Sequence, residues 1–477
     1  MMFYYQRLAK QITEKIDHGE LEVGDKLLSI RQFAHQHQVS INTAKGCYQL
    51  LEANGKIVVK QKSGYYVAEK FEKLIPPEQD FTSYPREVSN LEILVEIQQT
   101  AIQPNYINLG TIQLDPEFIP VSNLRRSLNR ALKHAKPEDF LYCDRRGHAQ
   151  LIQALVEHWR EDGLYIDKQD VFISSGCLPA IALLIQVLTQ ENDSIIVPCP
   201  TFNGHLQLIA NLNRQIIEIP ASGHGIDLER LEQVMQSGQA KVCLLTANFQ
   251  NPLGYCLTHQ QKQDIAQCAA RYQCMVIEDD FFAECGFDNV RPLPIKYWDK
   301  NGYVIWCGSI SKSISSAYRV GWFCIGEQSH DLKTRLTAQN PPVSTPLQLG
   351  LADFIHSRAY HEYLCRLRPK LKVQIIDYIR FIREIFDKVL IEIRQPEGGY
   401  VLWLKLHPQL DSKDVYYAAK ILHINIVPGI VFSEDAKHIQ YLRLNAGHKL
   451  TSNIKNALQK IATCCEHILA HKVKNNG

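Results

Sequence analysis

The sequence lacks the marks of metal-binding, secreted and membrane proteins. Its 14 cysteines form no C-x-x-C pair and no Cys/His cluster at zinc spacing, so we expect no metal site and free thiols in a reducing compartment. No stretch approaches the roughly 20 apolar residues of a membrane-spanning helix, and the N-terminus has no apolar signal core. We therefore predict a cytoplasmic protein with no membrane partner.

A strong net charge is also missing. The 477 residues carry a formal net charge of only +2, with 45% hydrophobic and 21% charged residues. This balance is typical of folded globular proteins and gives the whole molecule no attraction to nucleic acid, so any basic surface must be local. At roughly 100 to 200 residues per domain, the length predicts two or three domains.

The first 68 residues have the pattern of a small DNA-binding domain. Apolar residues recur at helical spacing from residue 3 to residue 18, a second helix follows Ser29, and a third runs from Ser40 to Gly55. The segment "KIVVKQKSGYYV" then alternates as two short strands around a turn. Three helices and a hairpin predict a winged helix-turn-helix domain at residues 1–68.

Charge gives this domain only modest support as a DNA reader. Residues 1–68 have a net charge of +3 and the remaining chain −1. A helical domain that binds protein would account for this local basic excess equally well. The third helix favours double-stranded DNA, because its first turn carries side chains that can bond base edges in a major groove. These residues are Ser40, Asn42, Thr43 and Lys45. We expect Arg31 to contact phosphate, and an ion pair within the domain is the open alternative.

The rest of the chain predicts a linker followed by an α/β domain. Residues 69–104 contain several prolines and mixed charges, which indicate a linker. In residues 105–477, strand-like runs alternate with helical patterns, as in a mostly parallel sheet. We place the large subdomain at about 120–330. The strands "YVLWLKL" and "QYLRLN" with their flanking helices predict a smaller α+β subdomain at about 331–477.

The segment "GSISKSISSAYRVG" is the first candidate for chemistry. Lys312 follows a strand and has Ser309, Ser311 and Arg319 nearby in sequence. An amine beside hydroxyls and a guanidinium suits a Schiff base formed next to a phosphate. Asp279 ends the apolar strand "VIED", where a carboxylate could keep a pyridine nitrogen protonated or could simply cap the next helix.

Other candidates suit the same kind of ligand. Asn251 lies in a turn after a strand, as a donor for a ring hydroxyl, and Phe202 could stack on a flat ring. Gly176 and Cys177 open a helix whose N–H groups suit a phosphate.

With these motifs in their order, "SSGC", "PTF", "NPLG", "EDDFF", "SISKS", "AYRVG" and "YLRLN", the chain resembles the MocR subfamily of GntR-type regulators. The resemblance implies a winged helix-turn-helix fused to a fold-type I aminotransferase-like domain, a homodimer, and pyridoxal 5'-phosphate on Lys312. It also implies that Arg443 holds a substrate or effector carboxylate, and that Tyr142 reaches the phosphate of the neighbouring subunit.

One departure from the family bears on activity. The family usually has a hydroxyl-bearing aromatic where this chain has Phe281, so a hydrogen bond to the ring oxygen is expected to be missing. Our leading hypothesis is a transcription regulator that senses an amino compound or a vitamin B6 vitamer. A working aminotransferase with an appended DNA-binding domain is the main alternative. A DNA-binding protein whose second domain has lost its cofactor is a third.

Overall fold

The chain forms two compact units, Met1–Glu78 and Gln79–Gly477. The computed structural model describes residues 4–17, 20–22, 24–53, 56–60, 64–67, 85–86, 91–287, 291–326, 330–434 and 437–475. No helix in these ranges has both the length and the apolar composition needed to cross a bilayer.

The first unit has the predicted helices and hairpin. Its elements are α1 Tyr4–Asp17, α2 Ile30–Gln36, α3 Ile41–Ala53, β1 Ile57–Lys60 and the antiparallel β2 Gly64–Val67. Ser29 caps α2 as predicted: its Oγ accepts from the Gln32 N–H, and the Gln32 side chain accepts from the Ser29 N–H. Leu8, Phe33 and Tyr48 lie in the shared core. The prediction of a helix-turn-helix domain is confirmed.

The second unit alternates helices and strands. Its helices are α4 Leu91–Ala101, α5 Val121–His134, α6 Ala149–Glu161, α7 Cys177–Leu188, α8 Asn203–Asn211, α9 Leu228–Ser237, α10 His259–Tyr272, α11 His330–Gln339, α12 Thr345–His356, α13 Arg358–Ile385, α14 Ser412–Ile421 and α15 Ser452–Asn475. Its strands are β3 Ile107–Asn108, β4 Val171–Ser174, β5 Ser194–Cys199, β6 Gln215–Ser222, β7 Gly225–Ile226, β8 Ala240–Leu245, β9 Met275–Asp279, β10 Val304–Ser309, β11 Gly321–Cys324, β12 Leu390–Ile393, β13 Val401–Leu406, β14 Ile424–Asn425, β15 Val427–Pro428 and β16 Tyr441–Asn445.

The large sheet has the order β4-β11-β10-β9-β8-β5-β6-β7. Strands β10, β9, β8, β5 and β6 are parallel to their neighbours in that run, while β11 is antiparallel to both β10 and β4. Ile195 and Val197 pack in one hydrophobic cluster and Ile196 in another, because alternate side chains of a strand point to opposite faces. Helices cover both faces of the sheet. The parallel pairing of these five strands confirms the predicted mostly parallel sheet.

The carboxyl ends of the parallel strands meet at one edge of this sheet. There β9 ends at Asp279 and β10 ends at Ser309. In sheets of this kind, ligands bind outside these ends.

The C-terminal part contains a smaller antiparallel sheet of order β12-β13-β16-β15. The long helix α13 and helix α15 pack with it in one core. The strands predicted at "YVLWLKL" and "QYLRLN" are β13 and β16.

One part of the predicted linker is folded. Helix α4 occupies Leu91–Ala101, and its Leu94 and Ile97 are buried in the largest core cluster of the second unit. Apolar burial therefore makes the end of the 69–104 range a packed helix, not a linker. Residues 68–84 and 87–90 lie outside the described residues.

Candidate functional site

Asp279 is buried at the end of β9 with a hydrogen-bond donor for each carboxylate oxygen. The Nε2 atom of His205 lies 2.7 Å from Oδ2, and the Cys177 thiol donates to Oδ1 across 2.9 Å. From the sequence, Cys177 was expected to contribute only its backbone N–H, and His205 was not predicted. The only sequence signal for His205 is its position three residues after Phe202, which places both at the start of α8.

Lys312 lies just beyond the end of β10. Strand β10 is the neighbour of β9, which ends at Asp279. Its Nζ donates to the carbonyl of Ile112 across 2.8 Å. Burial and the nearby positive charges of Arg443 and Arg319 lower the pKa of Lys312 to about 8, although its side chain keeps some contact with solvent. A lysine with this pKa has an appreciable unprotonated fraction at neutral pH, as a nucleophile needs.

Two tyrosines from the C-terminal part fix the backbone around Lys312. The hydroxyl of Tyr400 donates to the Lys312 carbonyl across 3.1 Å, and the hydroxyl of Tyr363 donates to the carbonyl of Ser313. Hydrogen bonds to main-chain carbonyls hold the segment whatever the lysine side chain does. The amine is therefore presented from a rigid turn.

Gly176, Cys177 and Arg319 bring together groups suited to an anion. Gly176 is the N-cap of α7, makes no side-chain cap bond and has φ +124°. A Cβ at Gly176 would stand 2.8 Å from Nη2 of Arg319, and L side chains rarely adopt this φ, so the position favours glycine. Ser309 is buried, and its Oγ accepts from the Ser311 N–H across 3.3 Å. Helix N–H groups and a guanidinium together favour a phosphate.

Asn251 is a buried polar residue near this site. Its side chain is 2% exposed, and neither Nδ2 nor Oδ1 has a hydrogen-bond partner among the described residues. Burying an unpaired amide is unfavourable, so this side chain is ready to bond a ligand. Asn251 follows β8, the neighbour of β9 on the side away from β10, which places it at the same edge of the sheet.

The aromatic ring of Phe202 lies near that of Phe281 and near that of His205, which contacts Asp279. Phe202 precedes α8, and its ring centroid lies 5.2 Å from that of His205 and 6.1 Å from that of Phe281. Phe281 is buried and, as the sequence indicated, brings no hydroxyl.

Arg443 on β16 is buried close to Lys312. It donates to the carbonyl of Gly110, while its Nε has no partner among the described residues. Burial lowers the pKa of Arg443 to about 9. The short loop after β3 thus binds two cationic side chains through its carbonyls: Gly110 accepts from Arg443 and Ile112 accepts from Lys312. This loop was not predicted, because backbone carbonyls have no sequence signature.

Tyr142 lies apart from these groups. It is 99% exposed, and its neighbours Phe140 and Leu141 are also exposed. Its predicted contact with the phosphate of a neighbouring subunit stays a prediction.

Four of the five residues predicted to bind DNA lie at the start of α3 or directly before it, and Arg31 lies in the first turn of α2. The Ser40 Oγ accepts from the Thr43 N–H across 3.1 Å, so Ser40 caps the helix. Lys45 and Arg31 are exposed and Thr43 is half-buried, whereas the side chain of Asn42 lies outside the described part of the chain. Base and phosphate contacts remain predictions.

Two family models match the chain. Residues 104–461 match "Aminotransferase class I and II", and residues 4–67 match "Bacterial regulatory proteins, gntR family". The HTH-type transcriptional regulator YdcR of Escherichia coli is 31% identical over 461 residues, which are 96% of this chain and 98% of that protein. The regulator NorG of Staphylococcus aureus is 28% identical over 92% of this chain and 99% of its own.

Solved structures share the fold of the second unit. A multiple substrate aminotransferase from Thermococcus profundus aligns with a TM-score of 0.72 and 20% identity, over 80% of this chain and 97% of that one. A Pyrococcus horikoshii kynurenine aminotransferase aligns with a TM-score of 0.71 and 22% identity, over 80% of this chain and 95% of its own. At these identities the likeness concerns the fold alone.

Proposed function

Because this chain belongs to the MocR-type regulators of the GntR family, with a helix-turn-helix domain fused to a class I and II aminotransferase domain, we propose that it controls transcription in response to a small amine. In this proposal, residues 1–68 bind double-stranded DNA. The second unit binds pyridoxal 5'-phosphate and an amino compound or a B6 vitamer, and a homodimer sets the spacing of two DNA-binding domains.

The observation that carries the cofactor proposal is the buried amide of Asn251, which has no hydrogen-bond partner in the described part of the chain and lies at the same sheet edge as Lys312 and Asp279. An amide without a partner fits a ring oxygen. The backbone at Gly176, where a Cβ would meet Arg319, fits a phosphate. These features lie where an α/β sheet binds ligands.

When bound, pyridoxal phosphate supplies an aldehyde that reacts with amines and a ring that withdraws electrons. Lys312 would hold it covalently through the unprotonated amine. Arg319 and the N-terminus of α7 would bind the phosphate, and Asp279 would hold a proton on the ring nitrogen. Arg443 would orient an effector by its carboxylate, since its Nε has no hydrogen-bond partner among the described residues.

Reduction and peptide mapping test the cofactor site. Borohydride should fix pyridoxal phosphate on Lys312, and Lys312→Ala should bind it only without covalent attachment. Lys262 is a matched control, since it is a buried lysine of the same unit whose Nζ bonds Asn248. A label on Lys262, or none on any lysine, would show that the site is assigned wrongly.

A sensor also requires that binding of the effector be coupled to binding of DNA. The effector must bind two arrangements of the protein with different affinity, because only that difference shifts an equilibrium. Titration of the full chain with amines, amino acids and B6 vitamers should change the cofactor spectrum for some of them. The same compounds should alter the affinity for promoter DNA, and Arg443→Met should abolish the response to carboxylates only.

A working aminotransferase is the second candidate. The lowered pKa of Lys312 favours it, since an amine with a pKa of about 8 can accept a substrate proton near neutral pH. Phe281 argues against fast turnover, because no hydroxyl at that position helps to stabilise a ring oxygen anion. We expect a spectral change with the right amine and slow transfer of its amino group. Fast, steady turnover with an ordinary amino acid would favour the enzyme.

A further inference from the structure

Two helices hold the Asp279 carboxylate, and one of the two donors is a thiol. His205 on α8 faces Oδ2 and Cys177 on α7 faces Oδ1, at 2.7 and 2.9 Å. One donor would leave the carboxylate free to rotate about its last bond. Two donors on different oxygens fix its plane.

The thiol is restricted to the donor role. Cys177 is 8% exposed, and burial raises the pKa of its thiol well above the usual range, with the neighbouring Cys307 side chain and the charge of Asp279 adding to the effect. The S–H group therefore keeps its proton. A carboxylate oxygen can only accept, so the hydrogen bond runs from Cys177 to Asp279.

The position of Cys177 in its helix gives this bond a wider effect. Cys177 is the first residue of α7, directly after the N-cap Gly176, and its backbone N–H belongs to the helix end beside Arg319. Its side chain meanwhile reaches β9. One residue thus connects the anion-binding end of α7 with the carboxylate at the end of β9.

We infer that Cys177 is a positioning residue for the cofactor, whose thiol orients Asp279 toward the ring nitrogen while its backbone lies in the phosphate-binding helix end. The inference rests on the proposed function, since it concerns the same pyridoxal phosphate. It adds that one residue connects the groups at the two ends of the cofactor, through its backbone at one end and its thiol at the other. The donor, and not the sulfur, should be what matters.

Four full-length proteins test this inference: the wild type, Cys177→Ala, Cys177→Ser and the control Cys243→Ala. Cys243 is a fully buried cysteine within β8 and provides a matched removal of a thiol from the same sheet. The affinity for pyridoxal phosphate and the visible circular dichroism of the bound cofactor are measured for each. The dichroism reports how rigidly the ring is held, which a loss of stability alone does not change.

We expect Cys177→Ala to weaken cofactor binding about tenfold, the size expected for one hydrogen bond to a charged group, and to reduce the dichroic band. Cys177→Ser keeps a donor and should stay within about threefold of the wild type. Cys243→Ala should bind like the wild type.

The possible outcomes distinguish failure of this inference from failure of the proposed function on which it rests. If the wild type binds the cofactor and Cys177→Ala matches it in affinity and dichroism, only the role of Cys177 is refuted. If Cys177→Ser loses as much as Cys177→Ala, the side chain acts by size and the inference is again wrong. If the wild type binds no pyridoxal phosphate, the proposed function fails and this inference fails with it.

Discussion

The amine of Lys312 should destabilise the cofactor-free protein near neutral pH. Burial and the charges of Arg443 and Arg319 lower its pKa from 10.5 to about 8. A lowered lysine pKa means that the folded protein disfavours the ammonium form relative to the unfolded chain. Replacing Lys312 by Met keeps a long side chain and removes the charge, so Lys312→Met should be more stable than the wild type.

The pKa difference sets the magnitude and the pH window. The interval from 10.5 to about 8 corresponds to about 3.5 kcal/mol at roughly 1.4 kcal/mol per pH unit. Because the side chain retains some solvent contact, we expect about 1–2 kcal/mol. Between pH 8 and 10.5 the unfolded chain binds more protons than the folded one, so stability rises with pH. The advantage of Lys312→Met should be full below pH 8 and gone above 10.5.

Urea unfolding of the cofactor-free proteins at several pH values measures this difference. All five tryptophans lie in the second unit, so their fluorescence follows that unit. Lys300→Met removes an exposed lysine as the control and should change the unfolding free energy by less than about 0.5 kcal/mol. If Lys312→Met is no more stable at pH 7, or if its advantage persists at high pH, the electrostatic reasoning is refuted.

Three further changes test other parts of the chain. Glu284→Ala removes the carboxylate that pairs with Arg368 at 3.0 Å in the interior. It should lower the unfolding free energy by about 3–5 kcal/mol in the same urea assay, and a loss under about 1 kcal/mol would contradict this. Gly176→Ala places a Cβ against Arg319 and should weaken binding of pyridoxal phosphate more than of pyridoxal, compared by titration; equal losses would argue against a phosphate at this helix end. Lys45→Ala should weaken binding to all DNA sequences and reduce the salt slope of the affinity by about one, and an unchanged slope would remove Lys45 from the interface.

The sequence by itself determined the elements with strong local patterns. The parallel strands β5, β8, β9 and β10 are short apolar runs, and Ser29 caps α2 by a local bond, so both could be predicted from neighbouring residues alone. The sequence placed Lys312 after one apolar strand and Asp279 at the end of another, where ligands bind in parallel sheets. That these two strands are neighbours in the sheet came only from the structure.

Only the tertiary structure decided what surrounds those residues. The donors to Asp279, Cys177 and His205, are 102 and 74 positions away in sequence, and no local pattern encodes such a contact. The pKa of Lys312 depends on burial and on Arg443, which another strand supplies from the C-terminal sheet. Helix α4 was missed because nearby prolines dominate its sequence context, whereas burial of its apolar face against distant residues stabilises it. Long-range packing sets these properties, and it exists only once the chain has folded.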